Sequence, residues 1–251
     1  MTVKGLSFAY GDHSVLRGLS LEIPRGKITT IMGANGCGKT TLFSLMTRNL
    51  TPGKGKILLG KKNIRGLDLS AFARKVAIVH QTNSAWDDLT VEQLVAFGRT
   101  PWRKQLLGHS AEDAERVQWA LAVTGLTPYA DRELGRLSGG QRQRVWIAMA
   151  LAQDTKILFL DEPTTYLDIR YQMEILQLIR QLNREFGLTI IMVLHDINQA
   201  IHFSDRVIGL KDGKVAVEGD PQEVITPEVI RELYDIRLEV TEIDGRKFVL
   251  V

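Results

Sequence analysis

The sequence has 251 residues, 44% of them hydrophobic and 24% charged, with 32 Lys and Arg against 29 Asp and Glu and a single cysteine. That length suffices for one large α/β domain or two modest ones, and 22 glycines with 7 prolines exclude collagen-like and low-complexity chains. The lone Cys37 excludes a disulfide framework or a multi-cysteine metal cage, and a net charge of +3 without a basic stripe argues against a nucleic-acid partner. Residues Met1–Gly5 lack the apolar run of a signal peptide. No apolar stretch approaches the roughly 20 residues of a membrane span, so the expectation is a soluble, reduced, cytosolic chain. Strands are predicted at Val3–Tyr10, Ser20–Ile23 and Lys27–Met32. A helix follows over Lys39–Asn49, ended by Pro52-Gly53, and short strands at Gly55–Leu59 and Val76–Val79. From residue 83 to 153 only helical spacing appears, at Glu92–Gly98, Ala111–Thr124 and Gly139–Ala152. Ser110 and Asp113 resemble a capping box, with Asp in place of Glu or Gln. Alternation then resumes, with a strand at Lys156–Asp161, a helix at Ile169–Phe186, a strand at Leu188–Leu194, and a hairpin of Val207–Leu210 with Lys214–Glu218. Strands alternating with helices imply parallel pairing.

Gly33-Ala34-Asn35-Gly36-Cys37-Gly38-Lys39-Thr40 fits G-x-x-x-x-G-K-[ST] between an apolar strand and a helix. Glycines there let successive amides face a phosphate, and the helix that follows presents its positive end. Lys39 is the expected ligand of the β- and γ-phosphates and Thr40 of Mg²⁺. Cys37 reads in two ways: a small residue that the tight loop accommodates, or a thiol activated by the helix N-terminus. Downstream, Lys156–Leu160 runs into Asp161 and Glu162, two adjacent acids that a continuing strand would point to opposite faces. Pro163 breaks the strand there, and the roles divide: Asp161 for the metal, Glu162 for the attacking water. In Leu137-Ser138-Gly139-Gly140-Gln141, Ser138 caps a helix, Gln141 completes a capping box, and two glycines leave the first turn bare as an anion site.

Together these segments resemble the nucleotide-binding domain of an ATP-binding cassette (ABC) protein, over Val3 to Tyr234. The resemblance implies a P-loop α/β fold: a mixed sheet core with an antiparallel N-terminal β part and a helical insertion. It assigns a core of 1–82 and 154–235, a helical subdomain of 83–153 and a tail of 236–251, all within one nucleotide-binding domain. It implies ATP and Mg²⁺, with Tyr10 stacking on adenine and Gly33, Asn35, Gly36, Cys37, Gly38, Lys39, Thr40 and Thr41 binding the nucleotide. Glu162, His195 and Gln81 form the implied catalytic set, and Thr40, Gln81 and Asp161 the metal set. Leu137, Ser138, Gly139, Gly140 and Gln141 would bind ATP in trans across a head-to-tail homodimer, with Asp168 bridging the two sites. Tyr166 departs from the family pattern, where small residues are usual, and the departure bears on dimer contacts.

Val95–Pro101, Thr164–Ile169, Val193–Ala200 and Gly219–Thr226 resemble the importer group for iron–siderophore, haem and cobalamin uptake. In that group the ATPase docks beneath two permease subunits at the cytoplasmic membrane face and serves a substrate-binding protein indirectly. Residues 82–104 are the expected docking surface, with Trp86, Trp102 and Leu106–Leu107 as apolar features nearby. Packing inside the helical insertion is the alternative for these aromatics. A DNA- or ribosome-directed ABC ATPase would carry a long coiled coil or a second cassette, and a plain P-loop kinase would lack Ser138–Gln141 and Asp168.

Overall fold

Two runs, Ile28–Met32 and Thr189–Val193, are buried at every position and form adjacent parallel strands. Strands covered on both faces read as continuous apolar segments rather than alternating ones. The computed structural model describes residues 1–103 and 110–250, so Leu106 and Leu107 lie outside the described residues. In chain order the elements are β1 (Thr2–Tyr10), β2 (His13–Glu22), β3 (Ile28–Met32), α1 (Lys39–Met46), β4 (Lys54–Leu59), β5 (Lys62–Asn63), α2 (Leu69–Ala73), β6 (Val76–Val79), α3 (Val91–Phe97), α4 (Ala111–Val123) and α5 (Gly139–Ala152). There follow β7 (Ile157–Asp161), α6 (Ile169–Phe186), β8 (Thr189–Val193), α7 (Ile197–Phe203), β9 (Arg206–Lys211), β10 (Lys214–Gly219), α8 (Pro221–Val224), α9 (Pro227–Tyr234), β11 (Glu239–Ile243) and β12 (Arg246–Leu250). No described helix is long and apolar enough to cross a membrane.

The chain divides into two compact units, residues 1–67 with 183–251, and residues 68–182. In the first, an antiparallel sheet runs β2-β1-β4-β5, and a mixed sheet carries β10, β9, β3 and β8 in that order. There β3 pairs in parallel with both β8 and β9, while β9 and β10 are antiparallel. Helix α1 buries Leu42, Phe43, Leu45 and Met46. It stops at Met46, three residues short of the expected end, because Arg48 turns to φ +65° and the amides of Asn49 and Leu50 both return to the Ser44 carbonyl. Strand β2 begins at His13, well before the expected Ser20, paired with β1 from Tyr10↔His13 to Thr2↔Glu22 with three shifts of register.

The tail forms an antiparallel hairpin, β11–β12. The side chain of Asn198 on α7 holds Val249 at both its N–H (2.8 Å) and its C=O (3.0 Å). Lys247 donates to the Glu223 and Ile225 carbonyls. A two-stranded hairpin is marginal alone, and these contacts supply what it lacks.

In the second unit β6 and β7 pair in parallel, and α3, α4 and α5 pack against one another. Each of these helices opens on a reciprocal capping box, Thr90 with Gln93, Ser110 with Asp113, and Ser138 with Gln141. Helix α6 buries Ile175, Leu176, Leu178, Ile179 and Leu182 on one face, the spacing of an amphipathic helix. Asp113 also pairs with Arg99 at 2.7 Å, both buried, and Arg99 spends a second donor on the Ala152 carbonyl at 2.9 Å.

Candidate nucleotide site

Parallel strand ends position the chemistry in each unit. Val193 lies level with Ile31 across the β3–β8 pair, so the loop after Met32 and His195 after β8 emerge at the same edge. Ligands in α/β sheets bind beyond such carboxyl ends. In the second unit Val79 lies level with Leu160, which brings Gln81 and Glu162, each two residues further on, side by side. Gln81 Nε2 donates to Glu162 Oε2 at 2.5 Å, and the Thr165 hydroxyl donates to the same oxygen at 3.0 Å. Glu162 itself has φ +49°, a left-handed backbone that a non-glycine residue seldom adopts. Asp161 is the last residue of β7, and the chain turns out of the strand at Glu162.

The phosphate loop is closely fitted. Gly33 has φ +139°, and a Cβ there would stand 2.3 Å from the Leu210 carbonyl oxygen and 2.9 Å from Cys37 Sγ. At Gly38, φ +108°, it would meet Leu16 at 2.8 Å. The buried Lys39 ammonium donates to the carbonyls of Gly33 (2.7 Å) and Ala34 (3.0 Å). An ammonium has three donors, so one remains for a phosphate oxygen. Asn35, Gly36 and Thr40 are exposed, whereas Thr41 and Cys37 are buried. Burial pushes the Cys37 thiol up, against a smaller downward pull from Lys39. Of the two readings of Cys37, its burial and the closeness of Sγ to Gly33 favour the small residue that the tight loop accommodates.

Two supports of this loop lie far along the sequence and carry no local signal. The Gly213 amide, in the turn between β9 and β10, donates to the Cys37 carbonyl at 3.1 Å. The Tyr234 hydroxyl, at the end of α9, accepts the Gly33 amide at 3.1 Å. Tyr10 is 53% exposed at the end of β1, with its ring and that of Phe8 in an edge-to-face arrangement at 4.8 Å.

The Leu137–Gln141 segment behaves partly as expected. Ser138 Oγ accepts the Gln141 amide (3.3 Å) and Gln141 Oε1 accepts the Ser138 amide (3.0 Å). Gly139 is exposed, and a Cβ there would meet only Leu167, at an ordinary 3.7 Å. Gly140 is buried, and its Cβ would lie 2.3 Å from the Tyr171 ring. The second glycine therefore serves close packing as well as any bare first turn. Tyr171 in turn donates its amide to Asp168 Oδ1 at 3.0 Å, so Asp168 caps α6 beside the start of α5. Tyr166, φ +63°, is 92% exposed.

The two tryptophans part company. Trp102 donates to the Gln153 carbonyl at 2.7 Å and lies under the Arg74 and Arg99 guanidiniums, packed within its own unit. Trp86 is 78% exposed. Beside it a groove of about 150 Å³ is lined by Asn83, Ala85, Asp87, Leu94, Arg142 and Trp146, among others. The groove is braced by the Arg142–Asp87 contact at 3.5 Å and by the Gly135 amide on the Asp87 carbonyl.

Comparison with known proteins agrees with this geometry. Residues 16–165 match the family model described as ABC transporter. The iron(3+)-hydroxamate import ATP-binding protein FhuC of Bacillus subtilis (strain 168) is 46% identical over 96% of this chain and 89% of its own length. The ferric enterobactin transport ATP-binding protein FepC of Escherichia coli (strain K12) is 43% identical over 94% and 88%. Among solved structures, a transporter assigned to the metal-chelate ABC type, in an inward-facing conformation, superposes with a TM-score of 0.85 at 27% identity, covering 99% of this chain and 94% of that one. A dimeric ATP-binding cassette in a post-hydrolysis state, bound to ADP and phosphate, gives a TM-score of 0.73 at 31% identity over 88% and 98%. The phosphate loop with its buried lysine, the boxed Ser138–Gln141 helix start and these matches lead to one conclusion: the chain belongs to the ABC transporter family, as one of its ATPase domains.

Proposed function

We propose that this chain is the ATP-hydrolysing subunit of an importer for ferric chelates of the siderophore type. The observation that carries the proposal is the combination of a three-donor Lys39 loop with a boxed Ser138–Gln141 helix start on one chain. The cargo class rests on relatives whose names specify different iron chelates, hydroxamate and enterobactin.

Lys39 and the loop amides of Gly36, Gly38, Thr40 and Thr41 hold the β- and γ-phosphates, and Tyr10 stacks on adenine. Thr40, Gln81 and Asp161 suit Mg²⁺, because hydroxyl, amide and carboxylate oxygens are the hard donors it takes, and Gln81 commits only its Nε2 to Glu162. Mg²⁺, when bound, offsets charge on the phosphate oxygens. Glu162, aimed by Gln81 and Thr165, takes the proton of a water whose oxygen attacks the γ-phosphorus as the bond to the bridging oxygen breaks. His195 contacts the γ-phosphate, and Gln81 reports its presence towards the transport partner. In a head-to-tail homodimer the Leu137–Gln141 segment of one copy covers the nucleotide of the other, with Asp168 at the seam. The groove beside Trp86 receives a permease helix at the cytoplasmic face of the membrane.

Glu162→Gln tests the core of this reading. ATP binding is retained, turnover falls by at least about 100-fold, and an ATP-dependent dimer accumulates on size exclusion. Normal turnover with a monomer at saturating ATP refutes the assignment.

A further inference from the structure

The peptide groups flanking Gly33 are fixed from both sides, by Lys39 on the carbonyl (2.7 Å) and by Tyr234 on the amide (3.1 Å). Lys39 belongs to the nucleotide machinery; Tyr234 comes from the last turn of α9, 201 residues away. Resting on the ATPase reading above, we propose that Tyr234 is a positioning residue for the phosphate loop, a hydrogen-bond latch by which the C-terminal segment sets nucleotide affinity.

Three features support this. Gly33 leaves little freedom on its other sides, since Leu210 and Cys37 crowd the position of its absent Cβ. The latch is well anchored: Lys211 Nζ holds the Glu232 carbonyl (2.5 Å) and Asp235 Oδ1 (2.9 Å), fixing the helix end that carries Tyr234. And the phenol is neutral at working pH, as an ordinary tyrosine is, with burial pushing it further up, to about 12, although the Gly33 amide pulls the other way. The hydroxyl thus accepts the Gly33 N–H without placing a negative charge beside the phosphate loop. Without it, a part-buried amide at the start of the loop loses its partner, and loop conformations other than the one Lys39 needs gain population.

The test is equilibrium binding of a fluorescent ATP analogue to the full-length chain with Mg²⁺, alongside steady-state ATP turnover and Tm. The proteins compared are wild type, Tyr234→Phe and Phe248→Ala. Phe248 lies on the tail hairpin against His202, at a ring distance of 4.4 Å, and serves as the structural comparison. Tyr234→Phe is expected to weaken analogue binding and raise KM by about tenfold, with kcat at saturation within about twofold. Phe248→Ala lowers Tm while leaving affinity unchanged. Tyr234→Phe affinity within about twofold of wild type overturns the assignment, as does an equal affinity loss in Phe248→Ala, which would mean that affinity tracks stability alone. A wild-type chain that binds no nucleotide overturns the ATPase reading itself, and this assignment with it.

Discussion

Gly140→Ala separates two reasons for a glycine. If Gly140 served only to bare the backbone amides of α5, alanine would be nearly harmless, since a methyl group leaves an N–H in place. The structure says otherwise: the added Cβ would stand 2.3 and 2.5 Å from two Tyr171 ring carbons and 3.0 Å from its Cβ. Carbon atoms normally sit about 3.5–4.0 Å apart, so the ring must yield by more than about 1 Å. Overpacking of this kind costs about 1–3 kcal/mol, and alanine's helix preference returns about 0.8–1.0 kcal/mol. The net destabilisation is therefore about 0–2 kcal/mol, small in a denaturation curve. Activity is affected more, because the displaced residue donates its amide to Asp168. Turnover is expected to fall at least about tenfold, in line with the sensitivity of such sites to misplacement by 1 Å. Tyr171→Ala in the Gly140→Ala background removes the two closest contacts and restores part of the turnover. The measurements are steady-state ATPase activity and urea denaturation; wild-type turnover and stability in Gly140→Ala would refute the steric argument.

Asp113→Ala leaves Arg99 buried without its carboxylate and is expected to cost about 3–5 kcal/mol in urea denaturation. Replacing both partners by Met and Leu is close to neutral. Burial raises the Asp113 carboxyl, but hydrogen bonds from Arg99 and Ser110 outweigh it and hold the group below the usual carboxylate range. The stabilisation is thus fully present above about pH 4 and lost as pH falls through the depressed value, so Asp113→Asn flattens the acid limb of stability against pH. Trp86→Ala leaves the ATPase activity of the isolated chain unchanged and abolishes its copurification with permease, whereas Trp102→Ala, which strips the Gln153 contact, lowers Tm.

What could be read from the chain alone was local. The capping boxes of Ser110–Asp113 and Ser138–Gln141 span four residues each, and the fit of the phosphate loop lies within eight. Helix α6 declares itself through its buried stripe. The early half of β2 was not legible because its residues are selected by pairing with β1 rather than by strict alternation, with bulges at three points. Gly140 looked like a glycine for an anion because Tyr171, 31 positions on, is invisible to a local pattern. The hydrogen bond from Gln81 to Glu162 spans 81 positions and follows only once the β6–β7 register is known. The tail hairpin was missed for a related reason: what holds it is contact with distant residues, Asn198, Gln222 and the carbonyls of Glu223 and Ile225.

Glu162 carries a final consequence. Its left-handed backbone is a conformation that glycine accepts freely and that a longer side chain occupies at a cost of about 1–3 kcal/mol. Pro163, the Thr165 amide on the Glu162 carbonyl, and the Gln81 and Thr165 side chains on its carboxylate hold it there. If Glu162 is the base proposed above, the sequence that would fold most stably at this position and the sequence that would hydrolyse ATP are different sequences. On that proposal, stability screens of this chain will favour glycine at Glu162 and lose turnover with it.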